Sequence, residues 1–219
     1  DEILALLTIQ NMLEQLEPGL LGPKLKPLQQ RLDDMLTGQG LSAETLSQRV
    51  RLVHAGKRRL KLKCFELVAK ATLERKQIQI QHFNRQTGKT VERTISPQQL
   101  VHYRDNWYVD AWCHLRKEVR SFAVDAIAEC EQLDVDAKEL DADQLRSSMQ
   151  SGYGIFGGAV KGWAKLKFTP ERARWVKHEE WHPEQKTKDL ADGSYVIEVP
   201  YSDERELLAD VLKYGADVE

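Results

Sequence analysis

The run Trp107-Tyr108-Val109-Asp110-Ala111-Trp112, followed by Arg120-Ser121-Phe122-Ala123-Val124-Asp125, decides how this chain is read. Successive side chains of a β-strand point to opposite faces. Read as strands, the first segment sets Trp107, Val109, Ala111 and Cys113 on one face. Tyr108, Asp110, Trp112 and His114 fall on the other. In the second, Arg120, Phe122 and Val124 share a face. One side of each strand fills a core, with Trp107 and Trp112 as core aromatics. Tyr108 and Arg120 are then free to point at a common groove.

Two readings of that pair are open. A guanidinium is a planar fork of donors suited to phosphate or carboxylate, and a tyrosine adds a stacking face and a hydroxyl. Charge-assisted hydrogen bonds of about 1.5–3 kcal/mol each would let two or three such groups hold a nucleotide-sized anion. In the other reading Tyr108 plugs the core and Arg120 pairs with Asp125 or Asp110.

Outward from these strands the pattern continues. Leu60 to Arg75 reads as a helix with Cys64, Leu67, Val68, Ala71 and Thr72 on one stripe. Gln77 to Phe83 alternates as a first strand, with Ile78, Ile80 and His82 on one face, and Gln86-Thr87-Gly88-Lys89 is a turn. Val91, Arg93 and Ile95 form a second strand, and Pro97 opens a connection running to Asn106. Trp107–His114, Val119–Val124 and Ile127–Leu133 complete five short strands behind one helix, as in a small barrel. Asp134 and Asp136 read as a solvated strand edge.

The flanks are plainer. Residues 3–16 and 24–37 carry helical apolar spacing, and serve as a connector or as a packing face for a partner chain. Lys57 to Lys63 is the one basic block, either a solvated helix start or a phosphate-tracking stretch. Leu140 to Met149 is helical. Ser151 to Gly158 holds four glycines and reads as a linker, though Tyr153, Ile155 and Phe156 suggest that it docks. Beyond it come a strand (Trp163–Phe168), a helix (Pro170–Lys177), a strand starting at Trp181–Lys186, a turn at Asp192-Gly193, a strand (Ser194–Val199) and a helix (Glu204–Tyr214) closed by Gly215. That order suggests a small open α+β sandwich. The expected fold class is α+β, divided into 1–59, 60–140, 141–162 and 163–219.

Composition excludes more than it assigns. The chain has 219 residues, 41% hydrophobic and 30% charged, with a net charge of −2. One to two soluble domains fit these figures, and overall charge does not recruit nucleic acid. No apolar run of about 18 residues is present, so no membrane helix is expected. Asp1-Glu2 lacks the basic start of a signal peptide. Cys64, Cys113 and Cys130 are far apart, which disfavours a disulfide framework and favours a reducing cytoplasm. Both ends read as cut, with an N-terminal domain missing. No serine stands in a nucleophile elbow, and no glycine loop precedes a helix as a phosphate cradle. His178 and His182 sit four apart, but Pro183 follows and no third metal ligand is spaced to join them. Neither catalysis nor a cofactor or metal is expected.

Ser96-Pro97-Gln98-Gln99-Leu100, Trp107-Tyr108-Val109 and Arg120 through Ile127 together resemble the WYL-domain family of bacterial transcription regulators, with Val109 where the naming triplet has leucine. The stretch from Trp163 to Gly215 resembles the C-terminal extension that often follows this domain. The resemblance covers roughly residues 60 to 219. It implies an Sm-like five-stranded barrel acting as a ligand sensor, usually behind an N-terminal winged helix-turn-helix that binds DNA. It also implies homodimers, an association with DNA-damage and phage-defence loci, and nucleotides or nucleic-acid fragments as effectors. On that resemblance Tyr108, Arg120 and Phe122 hold ligand-groove positions, and His102 and Arg104 lie in the loop leading to the groove. Ala123 and Ala126 stand where many relatives place further arginines, which implies a less basic groove. The expected function is the effector-sensing and dimerisation part of such a regulator. The rival is direct binding of single-stranded nucleic acid.

Overall fold

The computed structural model describes residues 58–149 and 152–219, with isolated positions 27, 30, 31, 53 and 56. The N-terminal helices and the dimer contact assigned to residues 1–59 otherwise lie outside the described residues. Pro27, Gln30 and Arg31, within the expected second helix, are helical.

Helix α1 (Leu62–Leu73) buries Cys64, Phe65, Val68 and Ala71, one turn apart along a single stripe. It stops at Glu74 because Arg75 turns left-handed (φ 55°). An ion pair to Glu139 and a donated hydrogen bond to the carbonyl of Pro97 (3.1 Å) hold Arg75 in that conformation. Strands β1 (Lys76–Asn84), β2 (Lys89–Tyr103), β3 (Asn106–Cys113), β4 (Glu118–Ala123) and β5 (Ile127–Asp136) form one antiparallel sheet ordered β4-β3-β2-β1-β5. Its inner face carries Ile78, Ile80, Ile95, Val109, Ala111, Cys113, Phe122 and Ile127 against α1.

Three expectations for this first sheet need correction. Pro97 does not open a connection: β2 runs through it. Proline cannot donate to a ladder, and the register to β3 slips between Pro97 and Gln99, a bulge that absorbs the missing donor. The barrel does not close by pairing. Strand β5 pairs with β1 and, among the described residues, not with β4. Between them the chain makes a 3-10 turn (Val124–Ala126) that buries Val124 and Ala126. The sheet is nonetheless strongly curled. The rings of His82 on β1 and Phe122 on β4 are 5.3 Å apart, where three flat strand spacings would give about 14 Å. Trp112 is not a core residue. It is half-buried on the outer face, with the Lys138 ammonium 3.2 Å from its ring centroid.

After α2 (Ala142–Met149), the strap 152–158 docks as its apolar residues suggested. Tyr153 and Ile155 are buried, and the Ile155 amide donates to Glu206 (2.7 Å). Gly154 (φ 90°) is required, because a Cβ there would lie 1.9 Å from the Glu206 carboxylate. A second sheet, β6 (Gly162–Phe168), β8 (Tyr195–Tyr201) and β7 (Lys186–Asp189) in that order, packs with α3 (Pro170–Val176) and α4 (Glu204–Leu212). Thr169 caps α3 ahead of Pro170, and Asp203 caps α4. The strand expected from Trp181 starts only at Lys186. The Gln185 side-chain carbonyl accepts from the Trp181 amide (2.6 Å) and folds 181–185 into a turn, which sets Trp181 into the aromatic core beside Phe168.

Candidate effector cleft and interdomain latch

The residues of the deciding segment meet at a cleft of about 740 Å³. Register explains how. Ala111 pairs with Arg120 and Val109 with Phe122, so Arg120 belongs formally to the inner face. Strand β4 is a sheet edge, and there the Arg120 side chain reaches solvent while Phe122 stays in the core. Tyr108, paired with Ala123, lies on the opposite face and is nearly buried, 9% exposed. The curl of the sheet lets both line one cleft.

Four arginines border it, three of them from outside the deciding segment: Arg58 ahead of α1, Arg85 after β1, and Arg205 on α4. The cations of the cleft thus come mainly from outside the strands that carry Tyr108 and Arg120. Ala123 and Ala126 withhold arginines from β4 and the turn after it, and distant segments supply them. Arg58 Nη1 donates to the Tyr108 hydroxyl (3.4 Å) and stands 3.7 Å from Asp125. Arg85 pairs with the same carboxylate, which is almost wholly buried. Arg120 meets Glu118 at 3.3 Å, and both are about half exposed. Arg205 is fixed by two 2.8 Å hydrogen bonds to Asp203 and lies 4.3 Å over the Phe156 ring. Guanidinium outnumbers carboxylate on this lining, which suits an anion.

One polar group on this lining is held neutral. Burial, then the charges of Arg85 and Arg93, push the His82 imidazole down to about 4, so it is uncharged at neutral pH. Its Nε2 is buried without a partner. Asp110 is fully buried behind Tyr108. Burial raises its carboxyl despite hydrogen bonds donated by Gln99 (2.8 Å) and Ser121.

The other expected site residues go elsewhere. Phe122 packs in the core against His82. His102 stands edge-on to Trp107, 4.9 Å between ring centroids. Arg104, on the left-handed β2–β3 turn (φ 47°), lines a second cleft of about 1220 Å³ facing α4. There it ion-pairs with buried Asp210, which also accepts from the Tyr153 hydroxyl (2.6 Å) and from Lys213. Burial alone would raise the Asp210 carboxyl, but these three donors hold it below the usual range. This cluster latches the first sheet to the second.

Residues 63–132 match the family model described as the WYL domain, and residues 161–219 match the WCX domain. The chain thus carries a WYL-domain match followed by a WCX-domain match. A DNA-binding transcriptional repressor CapW from Pseudomonas aeruginosa is 38% identical over 58 residues, 26% of this chain and 19% of that protein. The CapW of Escherichia coli strain KTE188 is 27% identical over 86 residues, 39% of this chain and 29% of the relative. The chain thus spans less than a third of the curated relatives it matches. Among solved structures, proteasome accessory factor B/C of Arthrobacter aurescens is 22% identical, with a TM-score of 0.37, over 100% of this chain and 32% of its own. A CRISPR Cas-related protein is 11% identical, with a TM-score of 0.38, over 72% of this chain and 45% of its own. The arginine cleft is formed by the WYL domain, the connector at Arg58 and, across the strap, Arg205 of the WCX domain. No helix among the described residues is long and apolar enough to cross a membrane.

Proposed function

We infer that this chain is the effector-sensing part of a bacterial DNA-binding transcriptional regulator, and that it binds a nucleotide or nucleic-acid-derived anion without transforming it. The observation that carries this reading is the cleft itself. Tyr108 and Arg120 border one opening, together with three further arginines. Likeness to CapW repressors supports the regulatory setting. Within the cleft Tyr108 supplies a hydroxyl and ring edge, and Arg120 the most accessible fork. Phe122 sets the floor from behind. His102 and Arg104 act at a distance, by holding the β2–β3 turn.

Calorimetric titration of AMP and of a six-residue oligo-dT across a salt series tests the reading. AMP is expected to bind at micromolar strength with a shallow salt slope, and to be recovered chemically unchanged. Arg120→Ala should weaken it about tenfold, the value of one charge-assisted hydrogen bond. A chain that tracks a backbone would instead lose affinity for oligo-dT with a log–log slope of about −0.7 per phosphate contacted. Such a slope, or no affinity for AMP at all, would sink the sensor reading.

A further inference from the structure

We propose that Arg58 couples the cleft to the segment ahead of α1, by exchanging its seat on Asp125 and Tyr108 for the anion of a bound effector. This rests on the sensor reading above and adds the route by which binding is felt.

The seat is loose at the head and fixed at the base. Arg58 reaches Tyr108 at 3.4 Å and Asp125 at 3.7 Å, both longer than a good charge-assisted hydrogen bond of about 2.7–2.9 Å. Its side chain is 41% exposed and lines the cleft. Asp125 has a second guanidinium, Arg85, so it stays paired if Arg58 leaves. An incoming phosphate offers Arg58 a bidentate partner that Asp125 does not.

The base of the residue carries the consequence. The Arg58 amide donates to the Asn106 side-chain oxygen (3.1 Å), while the guanidinium reaches Tyr108, two residues further along β3. Arg58 is thus held at both ends, by its amide at Asn106 and by its guanidinium at Tyr108. Moving the head onto a ligand therefore pulls on the anchor. Asn106 in turn donates to the Arg104 carbonyl (2.7 Å), and Arg104 is the residue latched to Asp210. Connector, cleft and WCX domain meet at one turn. A ligand that favours the displaced seat shifts the connector by as much as its affinity differs between the two arrangements.

Two measurements on the full chain with AMP as probe test this. Hydrogen exchange of the peptide spanning 57–62 should speed up severalfold when AMP saturates the protein, while the β3 amides stay protected. Arg58→Ala should weaken AMP about tenfold and abolish the exchange response. Arg58→Lys, which keeps the charge without the fork, should recover only part of the affinity. Saturable AMP binding with unchanged exchange at 57–62 overturns the coupling and leaves the sensor reading intact, as does wild-type affinity in Arg58→Ala. Absence of AMP binding by the wild type overturns the sensor reading itself, and the coupling falls with it.

Discussion

Asp210→Ala is expected to lower the unfolding free energy by about 3 kcal/mol, near the lower end of the cost of breaking a buried ion pair. The carboxylate is 7% exposed and serves Arg104, Lys213 and Tyr153 together. Removing it leaves two cations and a phenol in a site built for an anion. Arg104 and Lys213 are partly exposed and can regain water, which keeps the loss from being larger. The loss has a pH signature. The folded carboxyl titrates below its unfolded value of about 3.8. Its contribution is therefore complete above about pH 4 and disappears as pH falls through the lower folded value. Urea unfolding at pH 7 and again near pH 3 should show a smaller difference between wild type and variant at the second pH than at the first. Arg104→Ala combined with Asp210→Ala should cost less than the two single losses added, because both remove one interaction.

Phe122→Ala is expected to cost about 3–5 kcal/mol, the range for deleting a buried phenylalanine ring. The residue is 5% exposed, packs edge-on to His82, and helps tie β4 to β1 across the curl of the sheet. Phe122→Leu keeps most of the volume and should cost under about 1.5 kcal/mol. The pair separates packing from ligand contact. If Phe122 acts as floor support alone, the leucine variant binds AMP as the wild type does. A leucine variant of normal stability that loses AMP would make Phe122 a contact residue instead.

Much of this architecture was legible where the period of the sequence is unbroken. The stripe Cys64, Val68, Ala71 announced α1, and the alternation through Ile78, Ile80 and His82 announced β1. The run Trp107 to Cys113 announced β3. Reading failed where tertiary context overrode a local rule. Pro97 is a strand breaker by chemistry, yet a bulge makes its missing donor harmless. Trp112 follows the inner–outer alternation correctly, but the outer face there meets solvent and Lys138 rather than a second layer. The basic lining of the cleft was the least visible feature. Arg58, Arg85 and Arg205 lie in the connector, a β-turn and α4, and only the curl of the sheet and the docked strap bring them together. One signal was present, the basic block Lys57 to Lys63. Its reading was divided between a solvated helix start and a phosphate contact, and Arg58 now lies at the cleft.

The central claim is that the arginine cleft holds an anionic effector. Its most direct test is mass spectrometry of what the purified full chain releases on denaturation, beside the Arg58→Ala/Arg120→Ala double variant prepared identically. The account predicts a phosphorylated compound released from the wild type and lost from the double variant. The same compound released in equal amount from both, or a released compound bearing no anionic group, would contradict it.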